Sequence, residues 1–484
     1  MKYDVIIVGS GAGGAVTALE CAQAGLSVLV LEEGRRHALR DYGKPATEAM
    51  GALFRRGGMT PIMGRVPMGF VEGMCLGGST EVNSGFWCRT PRESLLRWAA
   101  QYQLADAGHD ALAEHFDWAE DWLEVARSSR PWPRSTEVFA RGAEAMGWSA
   151  KEVERMARAC EGANVCPSGC PNGAKGMTRR VIPAAEAAGA HFVTGHRAEL
   201  LLTRKGRVEG VLAAVRREDG AEELVRIDAE HFYLCCGATQ TPALLRRSGI
   251  KRRVGNSLRV HPMLKVVARF PERLDADKDV LALLQVREFW PEISLGGAFF
   301  TPGHAAMALS ENWPQNEPLM EELGHLGAWY VAVRGTGRGS VRPSLWSRRD
   351  TSSRYDVNDE DMRHLSRGMA RLSALLLAAG ATAVYPGVWG LDPITTEVQA
   401  ARWLDEVLPR SALALTTVHA FSSCPMGERE DKCPLDSWGR VRDYANLRVN
   451  DASMLPDSPG VNPQGSVVAL ARRNVLRFLE DIAA

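Results

Sequence analysis

The sequence predicts an α/β fold, a Rossmann-type domain interleaved with a second, α+β domain. Three observations carry this expectation. The chain opens on a strand, a glycine-rich turn, a helix and a second strand; a short apolar run, Phe232 to Cys236, ends at Gly237 as a buried strand does; and 484 residues exceed one usual domain.

The opening unit reads Val5 to Val8 as strand, Gly9-Ser10-Gly11-Ala12-Gly13-Gly14 as turn, Ala15 to Ala24 as helix and Ser27 to Leu31 as strand. Gly9, Gly11 and Gly14 then form a G-x-G-x-x-G pattern in its proper setting. The first glycine permits the tight turn, the second lets backbone N–H groups approach a pyrophosphate, and the third allows close packing of helix on strand. A helix N-terminus favours the anion. Glu32, after the second strand, is placed to accept hydrogen bonds from adenosine ribose hydroxyls. The motif predicts a bound dinucleotide and does not distinguish NAD from FAD.

Residues 34–92 are dense in Gly, Pro and Arg and are expected to wrap a ligand as loops. Helical periodicity returns in Arg92 to Arg130 and Asp359 to Ala379. Alternation in Val208 to Val215 and Glu223 to Ile227 predicts strands joined by a turn at Glu218-Asp219-Gly220. Apolar residues make up 45% and charged residues 24%, with 58 Lys plus Arg against 58 Asp plus Glu, so no long-range attraction to nucleic acid or an anionic membrane is expected. No apolar run reaches the roughly 18 residues of a transmembrane helix. The apolar strand starting near Tyr3 follows no basic leader, so a cytoplasmic enzyme is the expectation. Ten cysteines are too few for a disulfide scaffold.

Four separated segments resemble the glucose–methanol–choline (GMC) oxidoreductases, FAD enzymes that oxidise alcohols. Beyond the N-terminal loop, Gly73 to Pro91 (GMCLGGSTEVNSGFWCRTP) is similar to the family's first signature, with Met74 where a basic residue or Asn is usual. Gly237-Ala238-Thr239-Gln240-Thr241-Pro242, continuing to Ser248-Gly249-Ile250, is similar to the second, with Lys251 replacing the closing glycine. Val254-Gly255-Asn256-Ser257-Leu258 before His261-Pro262 follows the pattern. The C-terminal pair is His419 in HAFSSCPMG and Asn462, in the stretch that begins Val449-Asn450-Asp451.

The resemblance implies the GMC fold: residues 1–92, 176–260 and 415–484 form an FAD-binding domain, and 93–175 and 261–414 a substrate-binding domain. It implies cofactor contacts at Gly77, Gly78, Ser79, Asn83, Gly237, Asp451 and Asn462. It also implies non-covalent FAD, because Val82 stands where some relatives attach flavin through a histidine. An alcohol would be the substrate and a quinone, a cytochrome or oxygen the electron acceptor.

Removing hydride from a carbinol carbon requires the hydroxyl proton to leave, and histidine titrates near the working pH. His419 sits at the family's catalytic position. Asn462, at the second, would hydrogen-bond the substrate oxygen. His261, preceding Pro262, is expected to fix a turn rather than to transfer protons.

Cys160, Cys166 and Cys170 follow C-x5-C-x3-C in a Gly- and Pro-rich loop, 160–175. The spacing resembles the branch of bacterial FAD-dependent sugar dehydrogenases, where three cysteines hold a [3Fe–4S] cluster. Such members can be exported with a signal-bearing partner. Zinc with a fourth ligand, or free thiols, are the other readings. Trp290, Trp313, Trp329, Trp346, Trp389 and Trp403 lie in the presumed substrate region, where indole faces can stack on sugars. A polyol, sugar or glycoside is therefore the expected substrate, with a sterol or long-chain alcohol as the alternative. A hydroxynitrile-lyase-like activity and an electron-transfer flavoprotein are the competing functions.

Overall fold

The computed structural model describes residues 3–217 and 221–483, so the turn expected at Glu218-Asp219-Gly220 lies outside the described residues. The N-terminal unit is strand β1 (Tyr3–Val8), helix α1 (Ala12–Gln23) and strand β2 (Val28–Glu32). β1 pairs in parallel with β2 on one side and with β3 (Glu222–Leu234) on the other. Every residue of β2 is buried, as parallel strands covered on both faces require.

β3 joins two kinds of pairing. Its first half pairs antiparallel with Arg207–Arg216, and its second half lies parallel between β1 and Leu447–Val449. Glu223 to Ile227 and Phe232 to Leu234 therefore belong to one strand, not two. His191–Thr194 and His196–Arg204 complete a seven-stranded sheet.

An eleven-stranded sheet forms the other layer. At its centre are β4 (Met263–Arg269), β5 (Ile293–Gly297), the short helix α2 (Pro302–Leu309) beside them, and β6 (Leu326–Val333). One face is covered by α3 (Asp359–Ala378), whose Met362, Leu365, Met369, Leu372 and Leu376 recur at helical spacing and are buried. Asn358 caps α3 by accepting the Asp361 N–H at 2.8 Å. β7 (Leu415–Thr417) pairs with β4, and α4 (Gln464–Ala483) packs on α1.

Five elements sit elsewhere than their expected domain. Thr60–Met63 and Met68–Phe70 are strands of the larger sheet, as is β7. The helices Arg92–Tyr102 and His109–Leu123 bury Leu95, Trp98, Leu112 and Phe116 in the core of the first sheet. The chain thus crosses between the layers more often than the sequence-based boundaries allow. Strands of three or four residues are too short to display a period.

Candidate active site

A cavity of about 970 Å³ runs between the two layers, from Gly9 and Glu32 at one end to His419 and Asn462 at the other. At the first end the glycine turn has a steric basis. Gly9 has φ +98°, and a Cβ on Gly14 would lie 2.0 Å from the Gly9 carbonyl oxygen. A Cβ on Gly11 would meet no atom within 4 Å, because this residue faces the cavity. No side chain caps α1 there and no acidic residue stands in its first turn. Unpaired helix N–H groups beside open cavity fit a pyrophosphate.

Glu32 lies beside them, buried. Its Oε2 accepts from the Ser10 N–H at 3.1 Å and the Ser10 hydroxyl at 2.5 Å, and its Oε1 accepts from the Gly34 N–H at 2.8 Å. Burial pushes its pKa up against these bonds. A carboxylate offers about four lone-pair sites, so roughly one stays free for a further donor.

Gly78, Ser79 and Asn83 line the cavity, whereas Gly77 and Gly14 stand behind it. The Gly77 N–H donates to Ser10 Oγ at 2.9 Å, tying this loop to the glycine turn. Asn83 is held by Gln464 at 2.5 Å. Asp451 and Gly237 also border the cavity, and the Asp451 carboxylate accepts from the Gly237 N–H at 2.9 Å, from Thr241 Oγ1 at 2.5 Å and from Ser453. Asp451 thereby fixes three segments against one another rather than offering a free carboxylate.

At the far end, β7 delivers His419 and the turn before α4 delivers Asn462. Asn462 Nδ2 lies 3.3 Å from His419 Nε2, and His419 Nδ1 lies 3.0 Å from His261 Nδ1. His261 Nε2 lies 2.8 Å from Ser458 Oγ. Because an amide nitrogen only donates, it assigns a lone pair to His419 Nε2 and a proton to His419 Nδ1. That proton is donated to His261 Nδ1, and the Nε2–H of His261 goes to Ser458. One proton arrangement satisfies all three contacts.

Burial pushes the His419 pKa down to about 4. His261 is lowered well below the usual value, first by burial and then by His419. Both imidazoles are neutral at neutral pH. The expectation that His261 merely fixes a turn is corrected: it is the partner of His419. On the other side Gln285 Nε2 donates to Asn462 Oδ1 at 3.3 Å and to Tyr330 Oη at 2.7 Å. Gln285, Tyr330 and Ser458 carry no sequence signal; His261 stands just after a family signature.

The comparisons with known proteins bear on this geometry. A GMC oxidoreductase family model matches residues 50–263 and a second matches 336–471, while an FAD binding domain model matches 4–40. A GMC-type oxidoreductase of Sinorhizobium fredii, itself described as uncharacterized, is 38% identical over 98% of this chain and 94% of its own. The chain belongs to the GMC oxidoreductase family. It is an FAD-dependent oxidoreductase acting on CH–OH donors. A long-chain-alcohol oxidase of Arabidopsis thaliana is 27% identical over 97% of this chain and 66% of its own. Two solved structures share the fold: a pyridoxine 4-oxidase from Mesorbium loti (TM-score 0.69, 17% identity, 99% of each chain) and an Aspergillus oryzae formate oxidase (TM-score 0.71, 16% identity, 99% of this chain and 98% of that one).

Two expectations for this GMC oxidoreductase change. The Arg155 guanidinium points one nitrogen at Cys160 Sγ and another at Cys166 Sγ, each at 3.7 Å, while Cys170 contacts Asn172 at 2.6 Å. A cation between two of the thiols takes the position a cluster would need. Among the described residues no group of three or more His, Cys, Asp or Glu side chains is arranged to hold a metal. Nothing in this arrangement supports an iron–sulfur or zinc site at these cysteines.

The tryptophans do not form a sugar-stacking surface either. Of the six, Trp290 alone lines the cavity. Trp329 and Trp403 are core residues, Trp346 is 96% and Trp389 68% exposed, and Trp313 lies at the surface. No helix among the described residues is long and apolar enough to cross a membrane.

Proposed function

We propose that the protein oxidises an alcohol with a largely apolar body to its carbonyl compound, with His419 as general base and non-covalent FAD. The observation that carries this reading is that His419 Nε2, whose lone pair accepts from Asn462 at 3.3 Å, stands with Asn462 on the cavity wall, where a carbinol hydroxyl inserted between them would take over both contacts. FAD, when bound, supplies the hydride acceptor. His419 Nε2 takes the hydroxyl proton, and the Asn462 amide donates to the substrate oxygen as charge develops on it. His261 accepts from Nδ1–H and supports the imidazolium that forms. The α1 N-terminus would hold the pyrophosphate, and Glu32 would take one ribose hydroxyl.

Met263, Phe299, Met307 and Val418 among the lining residues support an apolar substrate body over a sugar. The similarity to a long-chain-alcohol oxidase agrees.

Anaerobic mixing with a panel of primary and secondary alcohols tests the reading: one class bleaches the flavin absorbance. If none does, the proposal fails. His419→Ala is expected to slow flavin reduction roughly 10²- to 10⁴-fold while FAD stays bound. An unchanged rate removes His419 from the role.

A further inference from the structure

One wall of the cavity carries a cation with no counterion. Alternation along β4 turns Met263 and Lys265 to the cavity, while Leu264, Val266 and Ala268 are buried in the core. Lys265 lies directly across from Tyr330 on β6, and Met263 across from Ala332 on β6 and Thr416 on β7. All three partners line the same cavity. Lys265 is therefore one strand away from the Tyr330 hydroxyl, which leads through Gln285 to Asn462.

The Lys265 ammonium has no hydrogen bond or ion pair among the described residues. Burial alone lowers its pKa, with no carboxylate near enough to offset that. Most other cations on this cavity are engaged or lie in solvent: Arg55 has Glu33 and Glu72, Arg349 has Glu222, Arg334 faces Glu292, Arg247 donates to the carbonyls of Ala198 and Glu199, and Lys44 and Arg348 are exposed. The acidic residues on the cavity are at its dinucleotide end and engaged there. Two other titratable groups face it: Tyr330 across the strand pair, kept protonated by burial, and His304 on α2, bonded to Thr301 at 2.7 Å and kept neutral by burial and by the Lys265 charge. Lys265 is half-buried, and an ammonium partly withdrawn from water with no opposite charge beside it gains when a ligand brings one.

We propose that Lys265 binds a carboxylate on the substrate, so that the alcohol oxidised is a hydroxy acid: the acid end at Lys265, an apolar spacer, the carbinol at His419. The inference deepens the functional reading above and rests on it for the position of the carbinol. A single ammonium suits a monoanion. The pyrophosphate of the dinucleotide is met by the N-terminus of α1, at the other end of the cavity.

The test uses the FAD-loaded protein and ligands that cannot be oxidised: straight-chain carboxylates of graded length and the matched carboxamides, titrated by calorimetry. A charge-assisted hydrogen bond predicts that the best carboxylate binds at least about ten-fold more tightly than its amide. Lys265→Met abolishes this preference, and Lys265→Arg keeps most of it. Equal binding of acid and amide to the unmodified protein overturns the proposal, whatever the variants do. So does a preference that survives in Lys265→Met, or a Lys265→Met protein whose FAD affinity falls while the preference remains. Because the titration needs no turnover, it stands apart from flavin bleaching: bleaching by no alcohol at all overturns the functional reading, and a carboxylate preference without it still assigns the anion site.

Discussion

His419 and His261 set the proton inventory of the site between them. Each ring has one nitrogen committed to the other, so the tautomer of His419 depends on an acceptor supplied by the neighbouring ring. His261→Leu removes that acceptor. Flavin reduction is then expected to slow about 10- to 100-fold, with His261→Asn recovering part of the loss, as stopped-flow reduction would show. A loss equal in both variants would mean that the ring acts through packing alone.

The pH dependence follows from the same burial. The folded His419 pKa is near 4, below the usual 6.5, and His115 and His304 are also pushed to about 4. A depressed pKa gives stability that is fully present above about 6.5 and lost as pH falls towards 4, because the unfolded chain takes up protons first. The thermal midpoint should decline over that window, and flavin reduction should stay level until His419 protonates near its lower end. A rate that falls already near pH 6.5 would contradict the burial argument.

Elements were legible where a pattern was long enough to repeat. Asp359 to Ala379 read as a helix because five buried positions recur at helical spacing, and α3 ends one residue earlier. Its cap makes a local prediction: Asn358→Ala should lower stability by about 1 kcal/mol in chemical denaturation, leaving the site untouched. The sequence pattern divides β3 because one strand serves two settings. Its exposed half alternates, its buried half is continuous apolar sequence, and Asp228 to His231 between them look like a break. The glycine turn was readable from order and spacing alone. His419 and Asn462 were readable only through the family motifs around them, since an isolated histidine or an Asn before proline has no distinguishing pattern. Lys265 and Gln285 sit on ordinary strands, and only cross-strand register reveals what they face.

At the scale of the whole molecule, both layers contribute to one cavity, so cofactor binding and folding are coupled. The cavity that would take FAD is lined from both layers. Free FAD at about 100 times its dissociation constant should therefore stabilise the protein by about 2.7 kcal/mol, read as a rise in thermal midpoint that scales with FAD concentration. A midpoint insensitive to FAD would argue against a cavity completed by both layers.

The placement of β7 and of Leu447–Val449 has a further consequence, for the newborn chain. The larger sheet receives β7 and the smaller receives Leu447–Val449 only after more than four hundred residues have been polymerised. Domains commonly mature in the order of their synthesis. Here that order is closed to the enzyme, for both layers await strands from the same late stretch, and His419 and Asn462 arrive with them. A ribosome-bound chain can hold the glycine turn and still lack His419 and Asn462, so the cavity is completed only when synthesis is nearly finished.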